Sequence, residues 1–165
     1  MLLIGQPLHA QQSETDRQAL AQLRAKAEAG DAQSQFELGA AFSLGKFGVA
    51  TNYAESVKWY RQAAELNDAK SQNALAWILA TSANPAIRDG ANAVLFAEKV
   101  GAATDRKAPS NLDTLAAAFA EAGQFEKAVS TQHEAIALLQ SDEEKNDYRS
   151  RLKLYEAKTP YREKD

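Results

Sequence analysis

Apolar side chains recur three and four residues apart along most of the chain, and most such runs stop at a glycine, a proline or an Asn-Asp pair. A period near 3.6 residues gathers those side chains on one face of a helix, whereas a strand would alternate. The spacing predicts helices over 13–29, 32–43, 53–66, 69–80, 91–102, 111–122, 124–140 and 142–156. Ser13, Asp31 and Asp68 stand where an N-cap acceptor is wanted, and Gly30 and Gly123 where a helix must end in a left-handed residue. Ser110-x-x-Asp113 reads as a capping-box variant, and Pro160 as the stop of the last helix. Inward positions on this reading include Leu23, Leu38, Tyr60, Leu75, Leu95, Ala97, Val100, Leu152 and Tyr155.

The helical runs are not independent. Residues 27–38 return as 64–75, an offset of 37, with Ala27/Ala64, Glu28/Glu65, Asp31/Asp68, Ala32/Ala69, Ser34/Ser71, Gln35/Gln72 and Leu38/Leu75 identical. A third, more diverged copy lies at 111–139. The first helix of each pair aligns as Leu38-Gly39-x-x-Phe42, Leu75-Ala76-x-x-Leu79 and Leu115-Ala116-x-x-Phe119. The second aligns as Ser56/Tyr60/Ala63, Ala93/Ala97/Val100 and Ala128/Gln132/Ala135. A hairpin this small cannot bury its apolar stripe alone, so neighbouring pairs must stack into one continuous core.

Leu112, Leu115, Ala116, Phe119, Gly123, Ala128 and Ala135 resemble the signature of the tetratricopeptide repeat; Gln132 departs from it, since the family prefers an aromatic there, and Gln140 replaces its usual terminal proline. Leu38-Gly39-x-x-Phe42, Gly45, Gly48 and the run Lys58-Trp59-Tyr60-Arg61-Gln62-Ala63-Ala64 resemble the Sel-one-like variant, whose hairpin connection is longer. Leu75 to Thr81, Arg88-Asp89-Gly90, Leu112 to Ala118, Glu121-Ala122-Gly123 and Tyr155…Pro160-Tyr161-Arg162-Glu163 resemble a block common in bacterial tetratricopeptide proteins. The resemblance implies a right-handed α-α superhelix of three hairpins (32–66, 69–102, 111–140) with a leading helix, a C-terminal capping helix and a short tail from 157. It also implies a protein-interaction scaffold in a bacterial setting.

Composition changes this picture mainly by exclusion. With 45% hydrophobic and 25% charged residues in 165, the chain holds enough apolar surface for one folded helical domain. A net charge of −3 without a basic run gives no footprint for nucleic acid, and no stretch is apolar enough to insert in a membrane. The absence of cysteine removes disulfides and thiolate sites. Residues 1–12 read either as a truncated export signal ending near Ala10 or as a disordered start, so periplasm, export and cytoplasm all stay open.

Catalytic, cofactor and metal candidates do not assemble. His9 and His133 are isolated, and Asp142-Glu143-Glu144 are adjacent residues suited to the first turn of a helix, not to one ligand face. The expectation is therefore no catalytic residue, no metal and no cofactor. In the family the first helices line a concave surface, and its groove positions fall here on Gln33, Phe36, Lys70, Asn73, Trp77 and Asp113. Trp77 stands out because Ala40 and Ala117 occupy its place in the other units, so the shared core does not require its bulk. Two uses for it stay open, as an anchor for a partner or as bulk that fills space left by the longer connection or packs on the leading helix, while Trp59 is expected to cover the convex side or the next hairpin. The function expected is binding of a protein or peptide segment by a monomer or weak homo-oligomer. A self-associating structural role, or less favourably a small-molecule site or enzyme, is the alternative.

Overall fold

The computed structural model describes residues 13–163, which form eight α-helices and no strand. These are α1 (Glu14–Glu28), α2 (Ala32–Leu44), α3 (Tyr53–Glu65), α4 (Ala69–Thr81), α5 (Gly90–Ala103), α6 (Pro109–Glu121), α7 (Phe125–Leu138) and α8 (Asp142–Glu156). Every boundary lies within two residues of the one expected from periodicity. The segment 1–12, where the export-signal reading falls, lies outside the described residues. Helices α2–α3, α4–α5 and α6–α7 are the three hairpins; α1 packs on α2 and α8 on α7, so the hairpins stack as an α-α superhelical solenoid.

The repeated block has a structural job at nearly every identity. Asp31 and Asp68 cap α2 and α4 by accepting from the backbone N–H of Ser34 (2.8 Å) and Ser71 (2.7 Å). Gln35 and Gln72 are buried, and each donates its amide to a carbonyl of the preceding helix, Ala27 O and Ala64 O, at 3.1 Å. Ala27, Ala64, Leu38 and Leu75 are all at most 1% exposed. The repeat thus encodes both a helix start and the docking of that helix on its predecessor. The hairpin loops close on one common bond: the N-cap N–H of the second helix (Asn52, Asp89, Gln124) donates to Phe42, Leu79 and Phe119 O at 2.8–2.9 Å. Loop length can therefore vary while the crossing stays fixed. The N-cap carboxyls of Asp31 and Asp89 are held below their ordinary pKa, chiefly by side-chain bonding at Ser34 and Asn92.

The residues aligned between hairpins are buried in all three units. Small residues permit the close approach: a Cβ on Gly39 would stand 2.6 Å from the Tyr60 ring. Two packing expectations change. Leu95 is 54% exposed, because Ala93, Ala97 and Val100 already fill the inward stripe of α5 and Leu95 falls beside it. Trp59 is buried toward the front of the array, with Leu23, Ala27, Leu38 and Phe42, and not against the following hairpin.

Two helix ends also differ. In register with Asp31 and Asp68 the third unit has Ala108, so α6 starts without a side-chain cap and with Pro109 in its first turn. Ser110 and Asp113 form no capping box; Asp113 points inside instead. Helix α8 stops at Glu156, ahead of Pro160, because Lys158 takes a left-handed conformation (φ 54°) and the last turn closes through Lys158 N–H to Tyr155 O and Thr159 N–H to Leu154 O. The chain beyond then turns back over the inner face.

Candidate peptide groove

The inner face is built by α2, α4 and α6, and these three are not evenly spaced. Helix α4 lies along α6, whereas α2 stands off from α4 and Tyr60 of α3 fills the floor between them. Two hollows of about 450 Å³ each open there. One is lined by Leu44, Tyr53, Asn73, Trp77 and Asp113 among others, the second by Phe36, Lys70, Asn73, Thr104 and Asn111, and Tyr60, Asn73 and Ala74 belong to both. The Phe36 and Tyr60 rings pack at 5.6 Å, and burial raises the Tyr60 phenol pKa. Leu44 is 66% exposed at the rim. Asn73 Oδ1 is buried at the junction of the hollows and has no hydrogen-bond partner.

Beyond Trp77 the groove is already occupied by the chain itself. Tyr161 packs on Trp77 with ring centroids 5.9 Å apart, and the indole N–H donates to Glu163 Oε2 at 3.1 Å. Glu163 N–H donates to Thr81 O (2.9 Å), and Arg162 reaches Ala80 O (3.3 Å) while pairing with Glu121. These bonds satisfy carbonyls at the end of α4, where Ser82 stands in register with Gly45 but does not take its left-handed form. Arg88 satisfies the next two carbonyls, Ser82 and Ala83 O, and pairs with Glu121 at 3.1 Å.

Beneath the tail, Arg151 of α8 lies 4.9–5.7 Å from the ring centroids of Tyr148, Tyr161 and Trp77. Its guanidinium forks onto Asp113, both contacts at 2.8 Å, and Gln132 donates to the same carboxylate at 2.7 Å. Burial raises the Asp113 carboxyl above its ordinary range, and the Arg151 charge and the Arg151 and Gln132 bonds oppose that rise. Burial likewise opposes the charge on Arg151, and the Asp113 carboxylate outweighs it. Gln132, the departure from the family's aromatic, thus has a role of its own here: its amide donates to the buried Asp113 carboxylate and to Tyr148 O.

Of the six residues read from sequence, Asn73 lines both hollows, Phe36 and Lys70 one, and Trp77 and Asp113 the other. Asp113 is committed to Arg151, and Gln33 is exposed, bonded to Glu37, and lines neither hollow. Arg151, Tyr161, Glu163, Tyr53 and Leu44 escaped the sequence reading of the groove. The unexplained bulk at Trp77 was the available signal for Tyr161. His133 is exposed, and no cluster of three or more metal-ligating side chains exists among the described residues. None of the described helices is long and apolar enough to cross a membrane.

Stacked hairpins around one inner groove define an α-α helical repeat fold, consistent with the Sel1 and tetratricopeptide type of repeat. Among solved structures the chain is similar to a Sel1 repeat protein from Oxalobacter formigenes, with 25% identity and a TM-score of 0.51 over 82% of this chain and 98% of that one. No family profile and no curated protein matches the sequence.

Proposed function

We propose that the protein is a non-catalytic scaffold that binds an extended protein segment along the open stretch of its inner face, between α2 and α4. The observation that carries this is Asn73: its side chain lines both hollows, and its buried amide oxygen has no partner in the chain, a cost of about 1–3 kcal/mol that a ligand backbone N–H would recover once the amide turns toward the groove. Around it Phe36, Tyr53, Tyr60 and Leu44 offer aromatic and aliphatic walls for side chains on either side of such a backbone. The titratable groups nearby do not favour catalysis, because Asp113 and Arg151 neutralise each other and the described histidine lies on the surface.

Twelve-residue peptides selected by display against the purified chain provide the test. Asn73→Ala is expected to weaken the best of them about tenfold, or ~1.4 kcal/mol, with the thermal midpoint unchanged or slightly raised. Undiminished affinity in a folded Asn73→Ala chain would remove the groove assignment.

A further inference from the structure

The contacts of residues 157–163 differ in kind from those of α8. Leu152 and Tyr155 are buried and anchor the capping helix, but Tyr161, Arg162 and Glu163 are only half-buried. The tail is held by the Tyr161 ring against Trp77 and Arg151, one backbone bond to α4, one indole–carboxylate bond and the arginine's bonds to Ala80 O and Glu121. Such bonds are individually weak at a wetted surface and exchange readily for bonds to another chain. The receiving side is also peculiar to the second unit. Trp77 replaces the alanine of the other two, and α4 ends without a left-handed glycine, in contrast to α2 with Gly45 and the turn after α6 with Gly123. Helix α4 is left with carbonyls that an incoming segment must satisfy.

We propose, building on the groove reading, that residues 157–163 are a displaceable internal ligand. The segment that displaces them shares their chemistry, an aromatic ring followed by an arginine and a carboxylate in extended backbone. Each element is dictated by a group the tail now satisfies. Trp77 and Arg151 both pack on the tail's ring, Ala80 O and Glu121 receive its cation, the Trp77 indole N–H takes its acceptor, and Thr81 O takes its backbone N–H. A competitor without the acceptor or the backbone N–H would leave the Trp77 indole N–H or Thr81 O unpaired, and one without the cation would leave Ala80 O without its donor and Glu121 to Arg88 alone. Glu163 also lines the hollow that contains Asn73. A partner segment on the same track therefore gains the Asn73 contact, which the described part of the tail does not make, and this is why it can win against a tethered rival.

The test uses the full-length chain and a fluorescein-labelled peptide with the sequence of residues 157–165. A tethered tail competes at an effective concentration in the millimolar range. The wild type should accordingly bind the probe at least tenfold more weakly than the double variant Tyr161→Ala/Arg162→Ala, and a probe with alanine in place of its arginine should lose binding to that variant. In the wild type, the Glu163 amide should exchange with deuterium through local opening, at least a hundredfold faster than the amides of Leu115 to Phe119 in α6. Equal probe binding by both chains, or no binding by the folded variant, overturns the proposal. So does exchange of Glu163 at the same rate as α6, a readout that decides the matter in the wild type even if the variant fails to fold. The groove reading is judged separately, by Asn73→Ala and the selected peptides.

Discussion

Asp113→Ala is expected to lower the stability of the chain by about 3–5 kcal/mol, a shift on the order of 10 °C in thermal midpoint. The side chains of Asp113 and Arg151 are only 8% and 14% exposed, so neither can hydrate fully when its partner is removed. Deleting the carboxylate strands the guanidinium between three rings and leaves Gln132 without its 2.7 Å acceptor. The pair also ties α6 to α8, so its loss should loosen the C-terminal cap before the first hairpin. Urea denaturation followed by circular dichroism measures the cost. The double replacement Asp113→Leu/Arg151→Met should recover most of it, because an apolar pair of similar volume removes both desolvation penalties at once. A single-variant loss below about 1 kcal/mol would mean that the pair is effectively solvated.

Gly90→Ala is expected to destabilise by about 2–3 kcal/mol, although alanine is the better helix former by about 1 kcal/mol. Gly90 opens α5, and a Cβ there would lie 2.8 Å from Ala122 N and 2.9 Å from Glu121 C, backbone atoms at the end of α6. Two hairpins meet backbone to backbone at this point, with Arg88 and Glu121 paired alongside, so relief requires moving a helix. Gly101 in the same helix is the control: the nearest atom to an added Cβ is Leu115 Cδ2 at 4.0 Å, so Gly101→Ala should be neutral or stabilising. Opposite signs for the two variants, in one denaturation series, identify space between hairpins as the cause. A stabilising Gly90→Ala would contradict the packing described.

The solenoid was legible because its determinants are local and repeated. Asp31 and Asp68 cap the helix that they precede, Gln35 and Gln72 bond eight residues back, and Leu38 and Leu75 fill the same core position, so an offset of 37 shows each device twice. The groove was only half legible. Asn73 and Trp77 could be placed by their register on α4, but the contacts that fill half of the groove join residues 77 and 161, 121 and 162, and 113 and 151, separations at which no periodicity speaks. Asp113 shows the difficulty directly. Three residues after Ser110 it has the spacing of a cap, and only the arrival of Arg151 from α8 makes it a buried ion-pair partner. Leu95 fails for the opposite reason: alanines beside it pack closely enough to leave a large side chain outside.

The central claim is that a protein segment binds the inner face at the α2–α4 opening. It is tested most directly by ¹⁵N-resonance mapping of the full-length chain titrated with the best display-selected peptide. The account predicts shifts concentrated on the Asn73 side-chain amide, the Trp77 indole and the backbone of Ser43, Leu44 and Tyr53. Shifts confined instead to the exposed leucines of the outer helices, Leu95 and Leu138, with the Asn73 amide unmoved, would contradict it.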